Sequence, residues 1–171
     1  MTDFEKLKAE AEIQSSQSTE YSELRKKYEA NAKLGILEIA KFLITKYNFK
    51  TITGRVDEIY VYSNGIYSSK ESKRVIKQET EEILQDKFSS FVVNAIIDHI
   101  SARTYFNGER EDFGAILEHL VCIKNGILNL LTKELMPHSP DYIFLSKVPV
   151  EYKPEADCPK IKEFISNVFE E

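Results

Sequence analysis

The segment that decides the fold is Val121-Cys122-Ile123-Lys124-Asn125-Gly126-Ile127-Leu128-Asn129-Leu130, in which an Asn-Gly pair separates two apolar runs. An Asn-Gly pair between β-forming runs is the strongest short-range signal of a hairpin, because a type I′ turn needs positive φ at both central residues. Residues 58–67 repeat this pattern around Ser63-Asn64-Gly65. The sequence therefore predicts two β-hairpins, with turns centred on Asn64-Gly65 and Asn125-Gly126.

Helical periodicity describes most of the remaining chain. Helices are predicted over about residues 20–47, 68–87, from 89 or 90 onward, over 111–120, and from 157 to the C-terminus. In the last of these, the apolar residues Ile161, Phe164, Ile165 and Val168 follow i, i+3, i+4, i+7 spacing. Short strands are predicted over residues 142–145 and 148–152. The fold class is α+β, predominantly helical, with two Asn-Gly β-hairpins and short antiparallel strands.

Residues 1–20 are polar and charged and end in Ser15-Ser16-Gln17-Ser18-Thr19. This composition predicts a flexible N-terminal arm, with a short helix followed by a linker. Residues 21–171 are predicted to form a single domain.

Composition restricts the class of protein. The formal net charge of −5 and the pI near 5.4 argue against a stand-alone, high-affinity DNA-binding protein, because neutralisation of phosphates supplies most non-specific affinity. The two cysteines, Cys122 and Cys158, have neither zinc-ligand spacing nor the density of a disulfide scaffold, so we expect reduced thiols. The N-terminus has no signal-peptide pattern and no apolar run is long enough to span a membrane, which predicts a cytoplasmic protein.

Motifs for independent catalysis are missing from the sequence. It has no Gly-x-x-x-x-Gly-Lys-Ser/Thr phosphate loop, no His-Glu-x-x-His pair and no Gly-x-Ser-x-Gly elbow. The three histidines, His99, His119 and His138, are scattered along the chain. We therefore expect no cofactor, no metal and no enzymatic activity, although carboxylates far apart in sequence leave a dispersed catalytic site open as a third hypothesis.

The candidate nucleic-acid-binding residues form a basic face on the helix after the first hairpin. Their i, i+3, i+4, i+7 spacing places them on the same side of that helix: Lys70, Lys73, Arg74 and Lys77. With the hairpin beside it, this face would suit a wing and helix that grip phosphates. The alternative interpretation is a solvated face offset by nearby glutamates. Arg25, Lys26 and Lys27 form a second cluster, interpreted as the outer side of a long helix.

Several pieces of the chain, taken in order, carry a more specific signal. They are Glu58-Ile59-Tyr60-Val61-Tyr62 with Gly65-Ile66-Tyr67, the Ile123–Leu128 hairpin, His138-Ser139-Pro140, and Pro149-Val150 with Tyr152 and Ala156-Asp157-Cys158-Pro159. Together they resemble the region that precedes the helicase module in primase-helicases of phages, plasmids and large DNA viruses, the family that includes the poxvirus primase-helicase. The resemblance covers approximately residues 57–171.

This resemblance implies a connector between an N-terminal primase or polymerase module and a C-terminal superfamily 3 AAA+ helicase that works as a hexameric ring. The implied roles are ring assembly, engagement of single-stranded or template DNA, and coupling of the two activities, with the helicase module as partner in cis or in trans. It leaves oligomerisation open and implies no membrane contact. The chain stops at Phe169-Glu170-Glu171 before any Walker motif, so no catalytic residue of the family is carried over.

Two functional hypotheses are therefore favoured over an enzyme with a dispersed catalytic site. The first is a non-catalytic accessory domain of a DNA replication primase-helicase, assisting assembly and template engagement. The second is a winged-helix-like DNA-binding regulator that would use the basic face and the Asn64-Gly65 hairpin. The acidic balance of the chain favours the first, since the domain of a regulator is usually basic.

Overall fold

The computed structural model describes residues 3–54, 57–107, 113, 117 and 119–169. Within these residues the chain forms five α-helices and two three-stranded antiparallel sheets, and the helical content is 52%. The helices are α1 (Asp3–Ala30), α2 (Ala32–Lys46), α3 (Ser69–Leu84), α4 (Ser90–Arg103) and α5 (Pro159–Phe169). The strands are β1 (Phe49–Ile52), β2 (Glu58–Ser63), β3 (Ile66–Ser68), β4 (Leu120–Ile123), β5 (Gly126–Asn129) and β6 (Leu135–Met136). The predicted α+β fold class is confirmed.

The helix expected over residues 20–47 is two helices that meet at Asn31. The side chain of Asn31 accepts a hydrogen bond from the Leu34 N–H at 3.1 Å, which is the bond of an N-cap, so the residue ends α1 and starts α2. Gly35 lets the two helices approach closely, because a Cβ there would lie 2.3 Å from the Cα of Tyr28. The linker expected at residues 15–19 was wrong, since α1 is continuous through that segment. The division into an arm and a domain stays a prediction.

The main core lies where α1, α2, α3 and α4 pack together over one face of the first sheet. Ile39, Leu43 and Ile76 are fully buried in it. Burying a side chain of this kind stabilises the fold by about 1.5–3 kcal/mol. The helical periodicity of these apolar positions thus translates directly into burial.

The first sheet has the order β1-β2-β3 and is covered on both faces. Ile59 and Val61 of β2 face the main core. Tyr60 and Tyr62 lie on the opposite face, where they pack against a second cluster that contains the buried Tyr67. The alternation of β2 thus sends its tyrosines and its aliphatic residues into two separate clusters.

The second sheet has the order β4-β5-β6, and its first hairpin has a different turn from the one we predicted. Ile123 pairs with Gly126, so the two-residue loop is Lys124-Asn125, and neither loop residue has positive φ. The Asn125 side chain is used instead to bind the backbone of Tyr152: its Oδ1 accepts from the N–H and its Nδ2 donates to the carbonyl, both at 3.0 Å. In the other hairpin, Asn64 and Gly65 have φ of +51° and +90°, as a type I′ turn requires.

The segments expected as strands over 142–145 and 148–152 run along sheet edges without becoming strands. The Tyr67 N–H donates to the Phe144 carbonyl at 2.7 Å, and Val148 forms a single parallel bridge with Ile123. The helix expected over 111–120 lies largely outside the described residues, although Leu120 is described and begins β4. None of the described helices is both long enough and apolar enough to cross a membrane.

Candidate nucleic-acid interface

The basic face predicted on α3 exists as a surface. All four of its residues are exposed: Lys70, Lys73, Arg74 and Lys77. The other side of α3 is buried through Ser72, Ile76 and Thr80. The Ser72 hydroxyl donates to the carbonyl of Ile59 at 2.7 Å, which fixes the helix to β2. The packing of α3 therefore presents its four cations to solvent in a defined orientation.

The hairpin and the basic helix follow one another without a linker. The β2–β3 hairpin ends at Ser68, whose side chain accepts from the Glu71 N–H and caps α3. This bond is half of a capping box, because the Glu71 carboxylate accepts from Arg74. The structure thus places the Asn64-Gly65 hairpin one short strand before the helix that carries the cations.

Acidic residues surround part of the basic face. Arg74 forms an ion pair with Glu71 on the preceding turn of the same helix. Lys70 and Lys73 line a surface groove of ≈ 390 Å³ together with Asp57 and Glu58. A polyanion that entered this groove would meet both signs of charge, so the electrostatic attraction of the face is modest.

Charges are ordered along α3 against the preference of the helix dipole. Three of the four cations, Lys70, Lys73 and Arg74, lie in the first half of the helix beside Glu71, whereas Glu79, Glu81 and Glu82 lie in the second half. A helix is stabilised by anions near its N-terminus and cations near its C-terminus, each by about 0.3–1 kcal/mol. Helix stability therefore does not explain where these cations lie.

The second basic cluster has a structural role in part. Arg25 Nε donates to the carbonyl of Ile83 at 2.7 Å, near the C-terminal end of α3, and Lys27 pairs with Glu38 of α2 at 3.5 Å. Lys26 is exposed. Arg25 thus connects α1 to α3 and is not simply on the outer side of a helix, as the sequence had suggested.

Sequence reasoning missed a polar network that joins three helices. Lys46 Nζ of α2 donates to both carboxylate oxygens of Glu79 of α3 at 2.9 Å, and the hydroxyls of Tyr21 and Tyr47 also donate to that carboxylate. The Lys46 ammonium lies 5.3 Å from the ring centroids of both tyrosines. No local sequence pattern predicts this network, because its members come from separate helices and each has a polar group typical of a surface residue.

The network shifts the pKa of its members in a consistent way. Burial opposes the charge of Glu79, but the hydrogen bonds from Lys46, Tyr21 and Tyr47 outweigh it and lower the pKa of this carboxyl. Burial likewise opposes the charge of Lys46, yet the bonds to Glu79 and Tyr21 raise the pKa of the ammonium. Burial and the bond to Glu79 raise the pKa of Tyr47 to about 12. The ions are therefore charged at neutral pH and hold α1, α2 and α3 together.

The pieces that carry the family resemblance meet in space where the two hairpins join. The His138 ring lies against Gly65, since a Cβ on that glycine would be 2.6 Å from His138 Cδ2, and its Nε2 is 2.9 Å from the Ile123 carbonyl oxygen. Lys147 Nζ donates to the Asn64 carbonyl at 2.8 Å. The His138-Ser139-Pro140 segment is held in a turn, in which the Asp141 N–H donates to the Ser139 hydroxyl at 3.2 Å. The segment also links the first hairpin to the second sheet.

Among the described residues there is no group of three or more His, Cys, Asp or Glu side chains that could hold a metal ion. Cys122 is buried and Cys158 is exposed, and both are free thiols. The described residues present exposed charged and apolar surfaces, and these surfaces are the candidates for a functional contact.

Comparison with known proteins identifies the domain. No curated protein matches the sequence. The family model described as D5 N terminal like matches residues 40–170, from within α2 through α5. This match covers most of the 171 residues and includes every segment on which the resemblance was based. The chain belongs to the D5 N terminal like family, the domain that precedes the helicase module in primase-helicase proteins.

Proposed function

We propose that this chain is a non-catalytic accessory domain of a DNA replication primase-helicase, which assists assembly and engages template DNA beside a superfamily 3 helicase module. The observation that carries the proposal is the family match over residues 40–170. A cytoplasmic location and a phage or plasmid source belong to the same proposal. The accessory role is consistent with surfaces suited to contact, on α3 and on α5.

The exposed cations on α3 are the proposed DNA contact. Lys73 and Arg74 lie at its centre, on a helix whose opposite side is fixed to β2. Cations on a rigid helix can bind phosphates along a backbone without reading the bases. Because Asp57 and Glu58 line the adjoining groove, we expect this contact to be weak alone and to support the grip of the helicase.

The test is binding of fluorescent single-stranded and duplex DNA across a salt series. We expect the double variant Lys73→Ala/Arg74→Ala to reduce the magnitude of the negative slope of log K against log salt by about 1.4–1.8, since each lost phosphate contact removes about 0.7–0.9. The matched control removes two exposed cations elsewhere, Lys26→Ala/Lys33→Ala, and should leave the slope unchanged. An equal loss in both variants, or no binding at low salt, would contradict a DNA role for α3.

A variant of opposite sign sharpens this test. Glu58→Gln removes a negative charge beside Lys70 and Lys73, so we expect tighter DNA binding than in the unchanged chain. The amide oxygen can still accept the bond that the Tyr60 hydroxyl donates to Glu58 at 2.9 Å. Strong preference for one duplex sequence would instead favour the winged-helix-like regulator.

A further inference from the structure

The C-terminal helix α5 shows its apolar side to solvent. Phe164 is 67% exposed, Ile165 49% and Val168 55%, and every described side chain of this 11-residue helix is exposed. Helices α1, α2, α3 and α4, in contrast, each contribute buried residues to the core. An amphipathic helix in water buries its apolar side against something, and the residues described outside α5 do not supply that cover.

The helix nevertheless belongs to the shared domain. The family match extends through α5 to residue 170, whereas it begins at residue 40 and omits α1, which does bury Tyr21 and Leu24. The match is therefore not confined to segments that fill the core of this chain. The pattern of α5 is part of the family although the core does not need it.

Two occupants of the apolar side are poorly supported by its size and charge. A stable complex between two proteins buries about 800 Å² per partner, and even an aromatic side chain supplies only about 150–250 Å², so an apolar side of four residues at i, i+3, i+4 and i+7 is too small for a dimer built on α5 alone. A membrane-surface helix is rich in Lys and Arg on its polar side. The polar side of α5 instead carries Glu163 with Lys160, and its Lys162 is paired with Asp157.

We infer that the apolar side of α5 docks into an apolar groove on the superfamily 3 helicase module. This inference rests on the proposed function, which supplies the module as the partner. The apolar residues in the sequence of α5, Ile161, Phe164, Ile165 and Val168, recur at i, i+3, i+4 and i+7, the spacing by which a short helix lies in a groove. In the family the domain directly precedes that module. Where the two share one polypeptide, the linkage raises their effective concentration to the millimolar range, so a small contact is sufficient.

The exposed Cys158 provides a reporter immediately before α5. It can be labelled with a fluorophore under native conditions while the buried Cys122 stays protected. The labelled chain is titrated with the purified superfamily 3 helicase module encoded by the same genome up to about 1 mM, the effective concentration that linkage supplies, and anisotropy reports binding. We expect Phe164→Asp to weaken binding at least tenfold, because a buried aromatic anchor carries a large share of such an interface.

A matched control places the same charge on the other side of the helix. Ser166→Asp should bind like the unchanged chain, and thermal unfolding of both variants should be unchanged, because neither side chain packs in the core. Equal binding by Phe164→Asp and Ser166→Asp would overturn the inference. So would light-scattering mass that doubles without the module and returns to the monomer in Phe164→Asp, since a second copy would then be the occupant.

The outcome can be separated from that of the proposed function. DNA binding is measured on the same samples and depends on α3, so Phe164→Asp should leave it unchanged. Absence of module binding together with DNA binding that depends on Lys73 and Arg74 would overturn the α5 inference alone. Absence of both would overturn the proposed function as well.

Discussion

The helical part of this domain (residues 3–107) and its C-terminal third (residues 119–169) differ in whether their apolar side chains are buried. Between α1 and α4 the large apolar side chains form the main core. Among the described residues, the exposed large apolar side chains in that part are Leu34, Phe91 and Tyr105. The exposed ones from residue 130 onward are Leu130, Leu131, Leu135, Leu145, Val148, Val150, Phe164, Ile165 and Val168. The C-terminal third thus keeps much of its apolar surface available.

The two parts also differ in what holds them in place. The helices are fixed by burial and by the Glu79 network. The segments around the second sheet are fixed mainly by hydrogen bonds to backbone atoms, such as those of Asn125 to Tyr152 and of Lys147 to Asn64. The comparison of α2 with α5 shows that apolar periodicity indicates which side of a helix is apolar, but not whether that side is buried within the domain.

The largest expected effect tests this difference directly. Leu43→Ala should lower the free energy of unfolding by about 3–4 kcal/mol, since Leu43 is fully buried and truncation leaves a cavity. Phe164→Ala removes a larger side chain but should change it by less than about 0.5 kcal/mol, because exposed positions contribute little. Urea unfolding of both variants measures the contrast. A loss above about 1 kcal/mol in Phe164→Ala would show that α5 packs on the domain in solution.

The second prediction concerns the junction between the two parts. Gly65→Ala should destabilise the domain by about 2 kcal/mol, because a φ of +90° is unfavourable for a residue with a Cβ and that Cβ would contact the His138 ring. Thermal unfolding reports the loss. Asn64→Gly is the control, since glycine adopts the φ of +51° at that position and does not approach His138.

The His138 contact can be separated from the backbone term by a double-mutant cycle. His138→Ala in the Gly65→Ala background should recover part of the lost stability, because the ring that the new Cβ contacts is gone. Additive losses in the two variants would mean that the hairpins are joined without this contact, and that the C-terminal third depends less on the helical part than the structure indicates.

Local signals in the sequence were sufficient for much of the fold. The type I′ turn follows from Asn64-Gly65, and the start of α3 follows from Ser68 and Glu71, because each depends on residues that are neighbours along the chain. The basic face of α3 could be predicted for the same reason. Whether that face binds DNA stays a prediction.

Features decided by tertiary contacts could not be predicted in this way. Asn31 is an exception, since its bond to the Leu34 N–H is a local signal that the apolar periodicity of residues 20–47 concealed. The turn at Lys124-Asn125 differs from the local preference for Asn-Gly because the Asn125 side chain binds Tyr152, which is 27 positions away. The groove that brings Asp57 and Glu58 beside Lys70 likewise depends on how β2 packs against α3.

The smallest of these effects on stability is expected from a change in the Glu79 network of the helical part. Glu79→Gln keeps the shape of the side chain but removes its charge. At neutral pH it should cost about 1–2 kcal/mol, between the roughly 0–1 kcal/mol of an exposed ion pair and the roughly 3–5 kcal/mol of a fully buried one. The pair is partly buried, with 12% of the Glu79 side chain and 29% of the Lys46 side chain exposed. The exposed Glu81 lies two residues further along α3, and Glu81→Gln is the matched control, with little expected change.

The pH dependence of this effect has a definite sign. The pKa of Glu79 is lowered in the folded state from an ordinary value of 4.5, so between the two values the unfolded chain binds more protons. The contribution of Glu79 is therefore fully present above about pH 4.5 and is lost as the pH falls through the folded-state pKa. Urea unfolding at neutral and acidic pH should show the difference between Glu79→Gln and the unchanged chain shrinking in acid. A constant difference would mean that the network stabilises the helices by shape and hydrogen bonds, and that charge adds nothing to the contrast with the C-terminal third.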